Sequence, residues 1–338
     1  METPSTPDSV DAALQEVSEL TRDLSLGGSV EDESPPTMPP KKYWREEYGR
    51  HYSVLGRYES MFPSDEDENH HFFRLQSLLT RVLRWQLFRC PASLVTANVL
   101  DMGTGTGQWA LNVGRKEPSC KVTGVDIAPV EAGSNRANVK FEVQDLESDW
   151  PRRRAYSFIF GRQLGGSIVD WARLIRRCYD NLENGGWIEF HELDSNFYVM
   201  PNSAPGRKVM EMSQLLSLGL SNLGRRLDVA DYIRELLQQQ GFENITHDRV
   251  AVPIGMWPAP APPNHNAIDS MRNVGLARIT ELEFGIEGLT LKPFCKGLGW
   301  TPAQVHPFIA DVTREVVVGG TKMASTLNVI YAQKNVWY

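Results

Sequence analysis

Between Ala97 and Asp194 short apolar runs alternate with longer amphipathic ones. That is the pattern of a mostly parallel sheet with helices on both faces. Ala97–Met102, Cys120–Asp126, Val139–Val143, Tyr156–Phe160 and Trp187–Leu193 read as strands. Gly107–Lys116 and Ile168–Leu182 read as helices between them, the second stopped by Asn184-Gly185-Gly186. Upstream, the acidic run Asp65 to Glu68 opens a helix that the pattern carries to about Phe88, with Pro91 interrupting beyond it. Downstream the spacing predicts helices over Arg207–Leu220 and Val229–Gln240, the latter closed by Gly241, then a strand over Thr246–Ile254. A Pro-rich loop from Pro253 to Pro263, helices around Ala267–Glu283 and Pro302–Val318, and a last strand over Ala324–Gln333 complete the reading.

Composition divides this chain further. Residues 1–40 are rich in Ser, Pro and acidic residues and poor in aromatics, too little apolar surface to offset the ordering entropy, so a disordered tail is expected. Apolar residues at helical spacing from Val10 to Leu24 leave a transient or partner-docked helix open within it. Residues 41–92 are expected to form a cap over the site, because Tyr43 to Tyr52 mixes aromatic and charged residues. Residues 93–338 then form the α/β domain with C-terminal helices walling a pocket. A net charge of −7 argues against a general nucleic-acid-binding surface, so no direct nucleic-acid partner is expected. No apolar run approaches the roughly 20 residues that span a bilayer, and no secretory signal opens the chain, so no membrane role is expected. Cys90, Cys120, Cys178 and Cys295 lie far apart without a CxxC pair, so neither a metal site nor a disulfide framework is expected. A cytoplasmic protein follows, with the nucleus as the alternative.

Candidate chemistry sits at the strand ends. Asp101-x-Gly103-x-Gly105-x-Gly107 joins a strand to a helix, where glycines let the backbone turn tightly and approach a ligand. The GxGxxG fingerprint of dinucleotide sites would need glycine or alanine where this chain has Gln108. An acid at position 101 suits an ammonium group and would repel a pyrophosphate. These features together point to S-adenosylmethionine. Asp126, followed by Ile127, ends the next strand, where a carboxylate can accept both hydroxyls of a ribose; the alternative is a solvated strand-end acid. Asp145 can meet the adenine amino group with Leu146 beside the ring, or serve as a cap or turn residue. Arg162 and Gln163 follow the fourth strand, at the carboxyl edge where open parallel sheets bind ligands. Arg162 therefore faces the reacting methyl or the acceptor, or pairs with a surface carboxylate. His191 is either a general base or a hydrogen-bonded structural group.

Taken together, these residues resemble the LaeA-like family of fungal methyltransferase-domain proteins. The resemblance runs through Val99 to Ala110, Gly124 to Pro129, Gly166 to Trp171 with Leu174, and Asn184 to Asp194. It extends to Tyr48–Tyr52 and Phe62–Glu68 before the domain, and to Leu291–Lys296 and Leu298–Pro302 after it. It implies a class I methyltransferase fold, Rossmann-like with a seven-stranded mostly parallel sheet, binding S-adenosylmethionine. It implies either a tailoring enzyme acting on a small-molecule acceptor in secondary metabolism, or a nuclear regulator associated with a velvet-type protein. The absence of a Lys/Arg-rich cluster beyond Arg152-Arg153-Arg154 tilts the reading toward the enzyme. The chain departs from the family at Asn69 to Arg74, where a charged stretch is usual, which points to a changed lid or acceptor.

Overall fold

The structure, a computed structural model, describes residues 44–55, 60–130, 136–150, 155–201, 203, 206–258, 271–317 and 321–335. The expected tail, its Val10–Leu24 helix and the Arg152–Arg154 run lie outside the described residues, as does much of the Pro-rich loop.

The described residues open with a hairpin, β1 (Trp44–Glu47) and β2 (Arg50–Ser53), joined by Tyr48 and Gly49 at φ 54° and 80°. Two consecutive positive-φ residues give the turn whose twist matches its flanking strands. Helix α1 (Glu66–Val82) follows. Asp65 caps it by accepting from the Glu68 N–H, and three acids occupy its first turn. It stops short of the expected Phe88 because Arg84 turns left-handed at φ 51°. The Arg84 N–H then reaches the Arg81 carbonyl and the Trp85 N–H the Thr80 carbonyl. This is a Schellman-type end built without the usual glycine, which is why the sequence pattern overshoots it.

The alternation beyond Ala97 becomes β3 (Asn98–Met102), α2 (Gln108–Lys116), β4 (Lys121–Asp126), β5 (Val139–Val143), β6 (Tyr156–Arg162), α3 (Trp171–Asn181) and β7 (Leu182–Leu193). Helix α3 starts later than expected, because Asp170 caps it through the Arg173 N–H. Strand β7 starts earlier: Asn184-Gly185-Gly186 is a bulge between the Tyr156–Leu182 and Phe158–Trp187 pairs, with Gly185 at φ 77°. The last part of the chain adds the short β8 (Tyr198–Val199), α4 (Arg207–Asn222), α5 (Ala230–Gln240), β9 (Phe242–Ile254), α6 (Met271–Lys292) running into a π-helical turn (Pro293–Gly297), α7 (Pro302–Val317) and β10 (Met323–Lys334).

The main sheet runs β5-β4-β3-β6-β7-β10, with β9 and the short β8 both pairing to β10. Pairing is parallel from β5 to β7 and antiparallel around β10. This is the expected seven-stranded class I methyltransferase arrangement plus a two-residue eighth strand. Strand order reverses between β3 and β6, so a crevice opens at their carboxyl ends.

Strand alternation divides the core. On one face Leu100, Ile159, Ile188 and Phe190 pack with Trp171 and Ile175 of α3 and Ile233 of α5. On the other, Val99, Val122, Phe158 and Phe160 pack with Trp109 and Val113 of α2. Further along, Leu78 and Leu79 of α1 meet Val274 of α6, Val252 and Leu327. The cap helix thus shares its core with the sheet, each such buried leucine contributing about 1.5–3 kcal/mol. Met212, Leu216, Phe294 and Val312 hold α4, the π turn and α7 in a fourth cluster. All four cysteines are buried and unpaired. Among the described residues no helix is long and apolar enough to cross a membrane, and no group of potential ligands is placed to hold a metal.

Helix α6 approaches β9 so closely that the Gly255 N–H donates to the Gly275 carbonyl at 3.0 Å. A Cβ on Gly275 would overlap the Gly255 carbonyl oxygen. Gly275→Ala gains about 1 kcal/mol of helix propensity but meets backbone that cannot swing aside. We expect a net loss of about 2 kcal/mol, read as a lower urea midpoint; an unchanged or raised midpoint would show that the helix can shift.

Candidate active site

The β3–α2 connection holds Gly103, Gly105 and Gly107 at φ +63°, +55° and +77°. All three lie in the left-handed region that other residues enter at a cost. A Cβ at Gly107 would strike the Phe141 ring at 2.6 Å, whereas at Gly105 it would meet nothing within 4 Å, so that stretch of backbone lies bare. The Gly105 N–H donates to Asp126 Oδ2 (2.8 Å) and the Ala128 N–H to Oδ1 (3.0 Å). Asp126 therefore ties the end of β4 to the glycine loop.

Gly103 and Gly105 line a cavity of about 220 Å³ at the carboxyl edge of the sheet. Asp101, Asp126, Ile127, Asp145, Leu146 and Arg162 line it too. Gly107 sits just behind, as the left-handed residue before α2. Asp101 is 2% exposed and accepts from Thr104 Oγ1 at 2.5 Å. Burial pushes its carboxyl up to about 7, and the negative Asp126 adds to that, against the Thr104 bond and the Arg162 charge. Burial also raises Asp126, against the two backbone N–H groups it accepts. Asp145 uses Oδ1 on the Glu147 N–H (2.8 Å), so its turn role and its place in the cavity wall coexist.

His191 requires a correction. It is fully buried and does not line the cavity. Its Nε2 bonds Glu189 Oε1 at 2.6 Å and its Nδ1 meets Arg162 Nη2 at 2.8 Å. Arg162 must donate, so Nδ1 accepts and the proton sits on Nε2. Burial, reinforced by the Arg162 charge, pushes the imidazole down to about 4 against the pull of Glu189. A sealed, neutral ring with both nitrogens committed cannot take a proton from an acceptor. Its place is behind Arg162, as a positioning group. Glu189 in turn accepts from the Arg89 and Cys90 N–H groups (2.8 and 2.6 Å), which with His191 hold it below the usual carboxylate range despite burial. Arg162 is in the cavity wall as expected, its other partner being Gln76 Oε1 of α1.

Within the segment expected to form a cap, residues 41–92, the sequence did not single out the side chains that meet the cavity. Met61, Phe62 and Pro63 cover it, followed by Asn69, Phe72 and Gln76 from α1. From the stretch Asn69–Arg74, Asn69 and Phe72 line the cavity. Residues 60–65 are clamped at both ends. Lys292, fully buried, donates to the Ser60 carbonyl (2.9 Å) and pairs with Glu47 (3.1 Å). Arg50 grips Asp65 with two 2.7 Å bonds. Gln76 and Gln108 went unnoticed because an isolated glutamine at helical spacing carries no chemical signature.

The donor set suits S-adenosylmethionine. Gln76 Nε2, Gln108 Oε1, Arg162 Nε and Gln163 Nε2 are buried without a hydrogen-bond partner among the described residues, and all four side chains line the cavity. Unmet donors and acceptors together with two buried carboxylates match a ligand carrying an ammonium, a carboxylate and hydroxyls. A pyrophosphate would face Asp101 and Asp126 unfavourably.

A sequence family described as methyltransferase domain matches residues 67–247. The chain is 34% identical over 310 residues to Methyltransferase pytC of Aspergillus terreus, covering 90% of this chain and 93% of that protein. It is 29% identical over 316 residues to the secondary metabolism regulator laeA of Aspergillus fumigatus (90% and 80% covered). To the protein-methionine methyltransferase laeA of Emericella nidulans it is 27% identical over 316 residues (88% and 80%).

The Lys292 tether yields a prediction. Hydrogen bonds to charged groups contribute about 1.5–3 kcal/mol, so Lys292→Met should speed amide exchange in residues 60–65 by roughly tenfold or more while β3 to β7 keep their protection. Uniform loss of protection would mean that Lys292 supports the whole fold, and unchanged exchange that the lid is held elsewhere.

Proposed function

The chain belongs to the methyltransferase-domain family and is an S-adenosylmethionine-dependent methyltransferase of the LaeA-like kind, and on that premise we propose that its acceptor is a small molecule of fungal secondary metabolism. The observation that carries the site is the convergence of Asp101, Asp126 and Asp145, from the ends of three adjacent parallel strands, on one cavity beside three left-handed glycines. S-adenosylmethionine, when bound, would supply a methyl group carried on a positively charged sulfur. The protein's part is binding and alignment, which can account for much of the rate. Asp101 pairs with the ammonium of the methionine end, and Asp126 accepts the ribose hydroxyls. Asp145 meets the adenine amino group between Ile127 and Leu146. Gly103, Gly105 and Gly107 give the loop its approach. Arg162 faces the acceptor, and the segment up to about residue 92 caps both ligands.

Similarity to pytC over nearly the whole of both chains supports the tailoring enzyme, for which we propose the cytoplasm. A second reading, a nuclear regulator working with a velvet-type protein, is supported by the somewhat lower similarity to laeA proteins. Labelled methyl from S-adenosylmethionine, followed into an extract of the producing organism, separates the two. Label in small molecules supports the enzyme, label mainly in protein supports the regulator, and no label with no S-adenosylhomocysteine binding removes both.

Two expectations concern the cofactor end. Asp126→Ala should weaken S-adenosylhomocysteine binding by about 10- to 150-fold in calorimetry, the equivalent of one charge-assisted hydrogen bond; unchanged affinity would remove the ribose role. Because Asp101 is held up to about 7, its ionised share rises between about pH 6 and pH 8. An ammonium pairs only with the ionised form, so affinity should rise about tenfold across that window. Asp101→Asn should flatten the rise, and an equal slope in wild type and variant would place the ammonium elsewhere.

A further inference from the structure

Arg162 is a half-buried cation whose two hydrogen-bond partners, the Gln76 amide and the neutral His191 imidazole, carry no charge. Burial pulls its guanidinium down to about 10, so it remains charged near neutral pH. The acids that face it do not pair with it directly. Glu189, from β7, is committed to two backbone N–H groups and to His191, which stands between. Asp101, from β3, bonds Thr104 and is itself held up to about 7. A buried charge without a direct counterion costs several kcal/mol, roughly, and is retained where a ligand supplies the counterion.

Three N–H groups on lining residues of the same cavity are also unmet. Arg162 Nε, Gln163 Nε2 and Gln76 Nε2 are each buried without a partner among the described residues. Gln76 and Arg162 are hydrogen-bonded, Gln163 is the next residue, and all three line the cavity. Gln163 also holds φ 54°, a left-handed conformation rare for a side chain of its size, while its own N–H bonds the His191 carbonyl at 2.9 Å. Strain of this sort persists where surrounding contacts fix a residue in place. These three unmet groups are all donors, so an occupant that reaches them accepts.

The rest of the wall narrows the occupant further. Among the described lining residues Arg162 is the sole cation, and there is no His, Lys, Cys or Tyr to act as a neutral base. The apolar side chains Phe62, Phe72 and Leu164 stand in the same wall. We propose that the acceptor enters as an oxyanion on an apolar, aromatic-sized framework, a phenolate, enolate or carboxylate, and that Arg162, Gln76 and Gln163 seat that oxygen. Such an acceptor loses its proton to solvent before it binds. Its own electron pair then makes the bond to the methyl carbon, and no protein base is required. This rests on the methyltransferase reading and adds the acceptor's charge and class to it.

The test uses the full chain saturated with S-adenosylhomocysteine. Benzoate and 4-nitrophenolate are titrated beside their neutral counterparts benzamide and 4-nitroanisole. The anions should bind at least about tenfold more tightly; Arg162→Gln should erase that preference, and Arg162→Lys should keep part of it. Gln76→Leu, which leaves the cation in place, should reduce the preference by severalfold and guards against an Arg162 variant that fails to fold. Equal or reversed preference in the wild type, or no binding by any of the four probes, overturns the proposal. So does a result in which Arg162→Gln weakens S-adenosylhomocysteine tenfold but leaves 5′-methylthioadenosine, which lacks the carboxylate, unaffected; the guanidinium then belongs to the cofactor. Failure of wild type to bind S-adenosylhomocysteine at all falls instead on the methyltransferase reading, and the anion preference is then read on the free protein.

Discussion

A line of four polar side chains, Glu189–His191–Arg162–Gln76, crosses the interior from the segment before β3 to the cap helix, and the shape of the site depends on it. Glu189 pins the Arg89–Cys90 backbone at one end and Gln76 pins α1 at the other. Between them His191, edge-on to Phe160, fixes the direction in which the guanidinium can point. Each link would be expensive to bury alone, and each bonds the next, while Arg162 Nε and Gln76 Nε2 remain unmet among the described residues. The Phe160 ring, stacked on Trp109 at 3.8 Å, extends the line into the packing of α2. Cap, sheet and glycine-loop helix therefore meet at one charged residue.

Around this line burial pushes Asp101, Glu192 and His191 toward their uncharged forms, whereas the hydrogen bonds to Glu189 keep that carboxylate ionised. Burial holds His191 down to about 4 and Asp101 up to about 7. It raises Glu192 to about 8, although the Leu164 and Gly165 N–H groups bond that carboxyl and favour its ionised form. Glu192 thereby anchors the loop after β6, the one that carries Gln163 and Leu164 to the cavity. Low charge behind the wall leaves the ionisable side chains in it, Asp101, Asp126, Asp145, Glu147 and Arg162, to act over short range on whatever enters.

Much of this was legible in the sequence where one residue type is the sole solution. Three left-handed turns in succession demand Gly103, Gly105 and Gly107, and the alternation of apolar residues is by itself enough to put β3, β4 and β6 in the sheet centre. What escaped was set by tertiary partners. The Schellman end at Arg84 replaces the usual glycine, the bulge at Gly185 reads as a stop, and the β1–β2 hairpin is short and mostly polar. His191 was legible as a strand-end imidazole, but its burial depends on Arg89, Glu189 and Phe160, which come from three different segments. Gln76 belongs to an amphipathic helix whose polar positions all look alike until one of them meets Arg162.

That division explains why the two halves of the cavity differ in how they can change. The cofactor half is built from strand ends and a glycine loop, where replacing Gly107 would drive a Cβ into Phe141 and losing Asp126 would release two backbone N–H groups. The other half is roofed by residues 60–65, held through Arg50–Asp65 and Lys292–Ser60, and by one face of α1, whose Leu78 and Leu79 pack on the sheet. Side chains at Phe62, Asn69 or Phe72 can be exchanged without disturbing either clamp. Substrate range can therefore drift within the fold while the cofactor end stays fixed, and the group that constrains such drift is Arg162, because altering it would strand Gln76, His191 and Glu189 together.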